Sequence, residues 1–265
     1  MSPSSSSSSP LQKVQLTNNI AVTSLIGLLG IIIVFIYNTA FSKGFFTCNR
    51  YILNTYLYIL MAFVLISLEV LAFDLNQVDI LQYFGSIWSF IITLIIVIGS
   101  LIVTMSINPR NVLLKHISWL VFVGILGILV YPAYLRSKDK NTLLPVLLSL
   151  TAILVIFSLV AFIRPDLISF SWGPILMFLL IGVIITHLIF LATINKRSNN
   201  QNMKYVKGVS YFIIVLFIFF VMYDTKKIIV GAKQCKEMTA DYINQSLGVI
   251  IDAVNIFQSL VNVTN

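Results

Sequence analysis

Residues 241–263 read DYINQSLGVIIDAVNIFQSLVNV, and this stretch decides the fold. Asp241, Gln245, Gly248, Asp252, Asn255, Ser259 and Asn262 follow one another at alternating steps of four and three, the spacing that keeps side chains on one face of an α-helix. The remaining faces carry Leu247, Val249, Ile250, Ile251, Val254, Ile256, Phe257, Leu260 and Val261. A helix that is apolar around most of its surface and polar along one seam belongs among other helices or beside a wet cavity. Its length also suits a bilayer, whose hydrocarbon core of about 30 Å takes roughly 20 helical residues.

Working outward, apolar runs fall at roughly 19–37, 52–73, 84–105, 117–134, 143–163, 172–194, 209–223 and 243–263. None alternates as a membrane β-strand does. In hydrocarbon each backbone amide must be satisfied within its own segment, so all eight are expected as helices. The 265 residues are 58% hydrophobic and 10% charged, with a mean hydropathy of +0.98, which leaves no room for a sizeable soluble domain. The expectation is an all-α integral membrane protein, multi-pass, with a seven- to eight-helix transmembrane bundle and the lipid bilayer as its main partner. Residues 1–16, with serine at every position from 4 to 9, read as a disordered polar tail. Residues 17–265 read as a single membrane domain, since no linker divides them. The tail lacks the positive charge of a signal-peptide n-region, and the run after it is too long for an h-region.

The net charge of +8 comes from 17 Lys and Arg against 9 Asp and Glu. Most of the basic residues fall in short connections, where anionic lipid head groups account for them. No segment is polar enough to form a nucleic-acid-binding face. The connections after runs one, three, five and seven hold nine Lys or Arg and the opposite side eight. That difference barely orients the chain, and the dense connection after run seven tips the reading towards the first group being cytosolic. Cys48 and Cys235 lie in different connections without metal-ligand spacing, and no role is assigned to them.

A carboxylate at membrane depth costs several kcal/mol unless paired, protonated or wetted, so intramembrane ionisable groups are functional candidates. Glu69, His187, Asp224 and Asp252 qualify. Asp252 stands in the middle of the polar seam. Asp224 ends the apolar stretch 212–222 and precedes Thr225, Lys226 and Lys227, so it either pairs with a neighbouring lysine or faces Asp252 across an antiparallel hairpin. Two carboxylates that meet there cannot easily both be ionised; a shared proton joins the helices, and its loss admits water or a divalent cation. Two acids fall short of the six to eight oxygens calcium prefers, so weak calcium binding is expected, with Tyr223, Thr225 and Asn255 as extra oxygens and Gln245 and Ser259 as further polar members of the seam. Glu69 is as readily an interfacial snorkelling residue as a functional one. His187 reads as a packing histidine, and Gly124 and Gly127 as close-packing residues. No hydrolase, phosphate-loop or metal-centre pattern is present, and the Gly-x-Gly-Asp context of intramembrane aspartyl proteases is missing. The chain is therefore expected to be neither an enzyme nor a holder of a cofactor.

Two motifs, Met222-Tyr223-Asp224-Thr225-Lys226-Lys227-Ile228 and Ser246-Leu247-Gly248-Val249-Ile250-Ile251-Asp252-Ala253-Val254-Asn255-Ile256-Phe257, resemble those of the Bax inhibitor-1, or transmembrane Bax inhibitor motif, family. The likeness is concentrated in residues 212–260. It implies a seven-helix fold with a central C-terminal helix, so that one run is in excess, taken as the first (about 19–37), with the family-like bundle over about 52–263. It implies that Asp224 and Asp252 are a pH-sensing pair, with protons and calcium as the ions handled. The implied activity is a calcium leak tied to calcium homeostasis and regulation of apoptosis, in an endoplasmic-reticulum-type or plasma membrane. Relatives latch a basic residue onto the acids, a role for which Arg110 is the candidate here. Lys226 replaces the usual Gln after Asp-Thr and is expected to bring a positive charge to the pair, and Val-Ile-Ile-Asp replaces Leu-Tyr-Leu-Asp. The rival readings are a non-conducting membrane protein acting through partners or as part of a membrane assembly, and a proton-coupled transporter, which would call for an internal repeat.

Overall fold

The computed structural model describes residues 10–78, 87–193, 199–235 and 239–265. Among them are eight α-helices: α1 (Pro10–Ala40), α2 (Tyr51–Leu75), α3 (Ile87–Ser106), α4 (Val112–Asp139), α5 (Leu143–Ile163), α6 (Trp172–Thr193), α7 (Asn199–Gln234) and α8 (Tyr242–Thr264). All but α3 are long and apolar enough over their described residues to span a membrane. Helix α1 begins within the segment read as a tail; residues 1–9, with the serine run, lie outside the described residues.

The apolar faces decide how the helices stack. Of the 18-residue apolar window in α8, 56% is buried inside the protein, against 11% in α1, so α8 is the central helix and α1 a peripheral, lipid-facing one. Helix α8 packs chiefly on α7 and also on α2, α4 and α5, while α1 leans on α2. The isoleucines and other large apolar side chains exposed along α1, α3, α5 and α6 are what a lipid-facing surface requires.

The helices alternate in direction, so the α1–α2, α3–α4, α5–α6 and α7–α8 connections share one face. The first of these contains a small antiparallel hairpin, β1 (Phe41–Ser42) with β2 (Phe45–Phe46). Its turn residues Lys43 and Gly44 both have positive φ, 51° and 83°, the primed turn that matches strand twist. Phe46 packs edge-on against Tyr58 and Tyr242. The Tyr242 hydroxyl donates to the Thr47 carbonyl, and Asn54 Nδ2 donates to the Asn49 carbonyl at 2.8 Å, so this connection is held on the start of α8.

On the same face Cys48 and Cys235 form a disulfide, with Cα atoms 5.6 Å apart. This corrects the reading that left both cysteines without a role. The hairpin and the helix alternation bring together two thiols that are 187 residues apart. The opposite face is fastened by Lys138 on Asp74 (2.6 Å), by Tyr134 on Asp74 (3.2 Å) and by Thr142 on Asn265 (3.0 Å).

Lys115, near the start of α4, is fully buried. Its ammonium donates to the carbonyls of Thr104 (2.8 Å) and Ile107 (2.9 Å) and to Asn244 Oδ1 (2.8 Å), and pairs with Asp241 at 3.1 Å. All of its donors are spent, the condition under which a buried charge is tolerated. Lys115→Met leaves Asp241 uncompensated and is expected to destabilise the protein by about 3–5 kcal/mol, read as a fall in thermal midpoint in detergent. Lys115→Met with Asp241→Asn, which keeps an acceptor at the start of α8, is expected to recover part of that loss. Equal loss in the single and double variants would show that the ion pair is not the cause.

Candidate functional site

Helix α7 runs ten residues past Asp224, to Gln234, although the sequence put its apolar run near its end at Asp224. The charges at 226 and 227 do not end the helix because each has a partner. Lys226 Nζ donates to the Ile168 carbonyl and lies 5.0 Å over the Phe170 ring. Lys227 Nζ, one turn beyond Asp224, donates to Asp224 Oδ1 at 3.1 Å. The lysine beside the acid is therefore Lys227, not Lys226 as expected, since the three-residue step faces it back onto Asp224 while Lys226 turns towards the α5–α6 connection.

Asp252 stands ten residues into α8, as Asp224 stands ten before the end of α7. At 1.5 Å per residue both lie about 15 Å from the disulfide face. Both are buried, Asp224 at 7% and Asp252 at 3% exposure. The Asp224 carboxyl lies directly over Gly248, one turn before Asp252. A methyl group added at Gly248 would come 2.5 Å from Asp224 Cγ, so glycine is what lets α7 place a carboxyl against α8. The charges of Asp224 and Lys227 both reach Asp252. No hydrogen bond joins the two carboxyls, and Asp252 Oδ2 has no hydrogen-bond partner among the described residues. One ammonium thus faces two buried carboxyls, and one negative charge is left to be met by a proton or a cation. No cluster of three or more His, Cys, Asp or Glu that could hold a metal ion occurs among the described residues, so a cation here would draw on carbonyls and water as well.

The other candidates lie around this core or away from it. The Thr225 hydroxyl contacts Tyr56 (3.2 Å) and Ser158 (3.3 Å), tying α7 to α2 and α5. The Tyr223 hydroxyl rests on Gly173 of α6, and its ring lies 5.8 Å from Lys227 Nζ. Gln245 packs its amide against Gly231 of α7. Asn255 donates to its own helix at Ile251 (2.9 Å), and Ser259 is buried farther along α8. Glu69 is half-buried, its carboxyl laid on Gly127 of α4, where an added methyl would come 2.6 Å from Cδ; the small residues at 124 and 127 make room for this acid. His187 Nδ1 lies 3.3 Å from the Val183 carbonyl of its own helix. Arg110 is exposed in the α3–α4 connection, its backbone N–H bonded to Asn108 Oδ1, and none of its contacts is with Asp224 or Asp252.

A cleft of about 760 Å³ opens at the disulfide face and descends between α7 and α8. Asn108, Phe170, Cys235 and Asp241 line its outer part, Gly231 and Gln245 its middle, and Lys227 its inner end. Asp241 caps α8 by accepting the Asn244 N–H at 2.9 Å. Burial pushes its carboxyl above the usual carboxylate range, against the opposing pull of the Asn244 N–H and the Lys115 ammonium. Lys115 and Asn244 were not singled out from sequence; Lys227 was named only as one of two neighbouring lysines with which Asp224 could pair, and that pairing is found. Asn244 and Lys227 stood one turn from an acid already flagged; Lys115 carried no such signal.

A buried carboxyl pair on a hairpin of antiparallel helices, under a polar cleft, defines a class of polytopic helical membrane proteins. The family model described as Inhibitor of apoptosis-promoting Bax1 matches residues 48–265, and the chain belongs to that family. The match runs upstream well beyond the 212–260 stretch in which the likeness was read, and it leaves out α1, the run taken to be in excess. Searches of curated proteins and of solved structures return no match.

Gly248→Ala is expected to displace the Asp224 carboxyl and lower stability by about 1–3 kcal/mol, the usual range for overpacking. Combining it with Asp224→Ala removes the clash and is expected to cancel most of the Gly248 effect in a double-variant comparison of thermal midpoints. Additive losses would mean that the two positions do not touch.

Proposed function

We propose that the protein is a pH-sensitive calcium-leak channel, a regulator of calcium homeostasis and cell death gated by Asp224 and Asp252. The observation that carries this reading is a charge balance: two buried carboxyls and one half-exposed ammonium on facing helices, with Asp252 Oδ2 lacking a hydrogen-bond partner among the described residues. With a proton on the pair the trio is neutral and α7 and α8 stay packed over Gly248. Without it the residual negative charge, in surroundings of low dielectric, draws in water or a divalent cation along the cleft. Few oxygens converge there, which suits brief occupancy and passage. Calcium is the transported ion in this reading, not a resident cofactor, and membership of a family described by suppression of Bax-driven death is consistent with it.

One observation favours the non-conducting alternative, in which the protein acts through membrane partners. Lys227 already holds Asp224 and stands where an entering cation would have to bind.

Liposomes reconstituted with the purified protein separate the two. Calcium flux is expected to rise from about pH 6 to about pH 8 as the shared proton leaves, and Asp224→Asn and Asp252→Asn are each expected to flatten that dependence. Lys227→Met is expected to raise the flux roughly fivefold, as removal of a competitor worth about 1 kcal/mol. Wild-type vesicles as tight as empty ones at every pH would rule out the channel and leave the partner reading.

A further inference from the structure

Two features of the disulfide face, independent of each other, bear on which side of the membrane it occupies. The first is the Cys48–Cys235 bond itself, which joins the α1–α2 connection to the end of α7. Structural disulfides persist in oxidising compartments and are rare in the cytosol, where thiols are kept reduced. The second is charge. The nine Lys and Arg assigned to this side by sequence include Lys115, Lys226 and Lys227. Lys115 is buried on Asp241, Lys227 is paired with Asp224, and Lys226 is bonded to the Ile168 carbonyl. These three are taken up by partners in the bundle and its cleft. Arg164 on the same side is paired with Asp166, and Lys138 on the opposite side with Asp74. Counted alike, five then remain on the disulfide side against seven on the other, where Arg136, Lys140 and Lys204 are exposed. The positive-inside rule applies to connection residues, and so corrected it turns against the near-even sequence count.

We propose that the α1–α2, α3–α4, α5–α6 and α7–α8 connections face the exoplasmic or lumenal compartment, and the α4–α5 and α6–α7 connections the cytosol. This reverses the orientation to which the uncorrected charge count leaned. It has a consequence for the site that rests on the channel reading above. The cleft opens between these same connections, with Cys235 and Lys227 in its wall; Asp224 and Asp252 do not line it and are joined to it through Lys227 on Asp224, so when that lysine swings aside the carboxyl pair exchanges protons and cations with the oxidising compartment. The pH and calcium sensed are then those of the lumen or the exterior.

The test uses the full chain made in a eukaryotic secretory host, with a flexible polar cassette carrying a single N-glycan acceptor inserted after Ser169 or after Lys140, both exposed connection residues. The Ser169 cassette is expected to gain an endoglycosidase-sensitive mass shift and the Lys140 cassette none. A glycan at Lys140, or none at Ser169, overturns the assignment. A second measurement needs no insertion. When membranes are dissolved in alkylating reagent, Cys48 and Cys235 of the unmodified chain should resist labelling until a reductant is added, and labelling of both without reductant also overturns it. Neither readout involves calcium movement, so sidedness and permeation can fail separately.

Discussion

A carboxyl buried in a membrane-spanning helix hairpin, about 15 Å along the helices from its connection, has to find its counter-charge within the protein, and the end of the chain is organised around that constraint. Asp224 takes Lys227 from the next turn of its own helix. Asp252 has only the fields of those two groups. At the mouth of the cleft Asp241 takes Lys115 from α4. The Asp241–Lys115 pair ties the start of the central helix to α4, whereas the Asp224–Lys227 pair lies within α7 and bears on α8 through the contact of the Asp224 carboxyl with Gly248; apolar packing fixes the rest.

Closeness of approach is a separate requirement: a carboxyl can lie on a neighbouring helix only where that helix has no side chain in the way. Gly248 leaves that room under Asp224, and Gly127 under Glu69. On the disulfide face the Cys48–Cys235 bond and the Tyr242 contacts hold the rim of the cleft, where α8 begins. The polar seam of α8 is accordingly not a uniform hydrogen-bonding strip. Asp241 is paired, Gly248 is a contact surface, Asn255 turns back on its own helix, and Asp252 keeps a buried oxygen, Oδ2, without a hydrogen-bond partner among the described residues.

The sequence carried the helical membrane bundle, the central place of the last helix and the equal depth of Asp224 and Asp252, because all three depend on periodicity and length. What it hid depends on direction around a helix and on connections. Lys226 was the lysine expected at the pair, yet a step of two from Asp224 points away and a step of three points back, a distinction available from helix geometry alone. Arg110 was named as the basic partner of the acids from the family resemblance alone, whereas it is exposed in its connection. The disulfide was legible in part: the chain holds two cysteines, and helix alternation already put both on one side, but only the hairpin at Lys43–Gly44 and the packing of Tyr242 bring them into reach. Lys115 gave no sign, since a lysine beside an apolar run looks like any interfacial lysine until four acceptors close around it.

The two partners in the Asp224–Lys227 pair are unequally buried, with side-chain exposures of 10% and 48% respectively. If the pair opens, the ammonium moves into the water of the cleft at small desolvation cost, while the carboxylate remains where its hydration is poor. The mobile partner in any opening is therefore the lysine, and the fixed negative site is the one left behind. A lysine tethered one turn away also has a high effective concentration, so a free cation would need either a second negative charge or a displaced lysine to occupy the site. In the channel reading, a proton lost from Asp252 would supply that second charge, leaving two carboxylates to share Lys227 and one incoming cation.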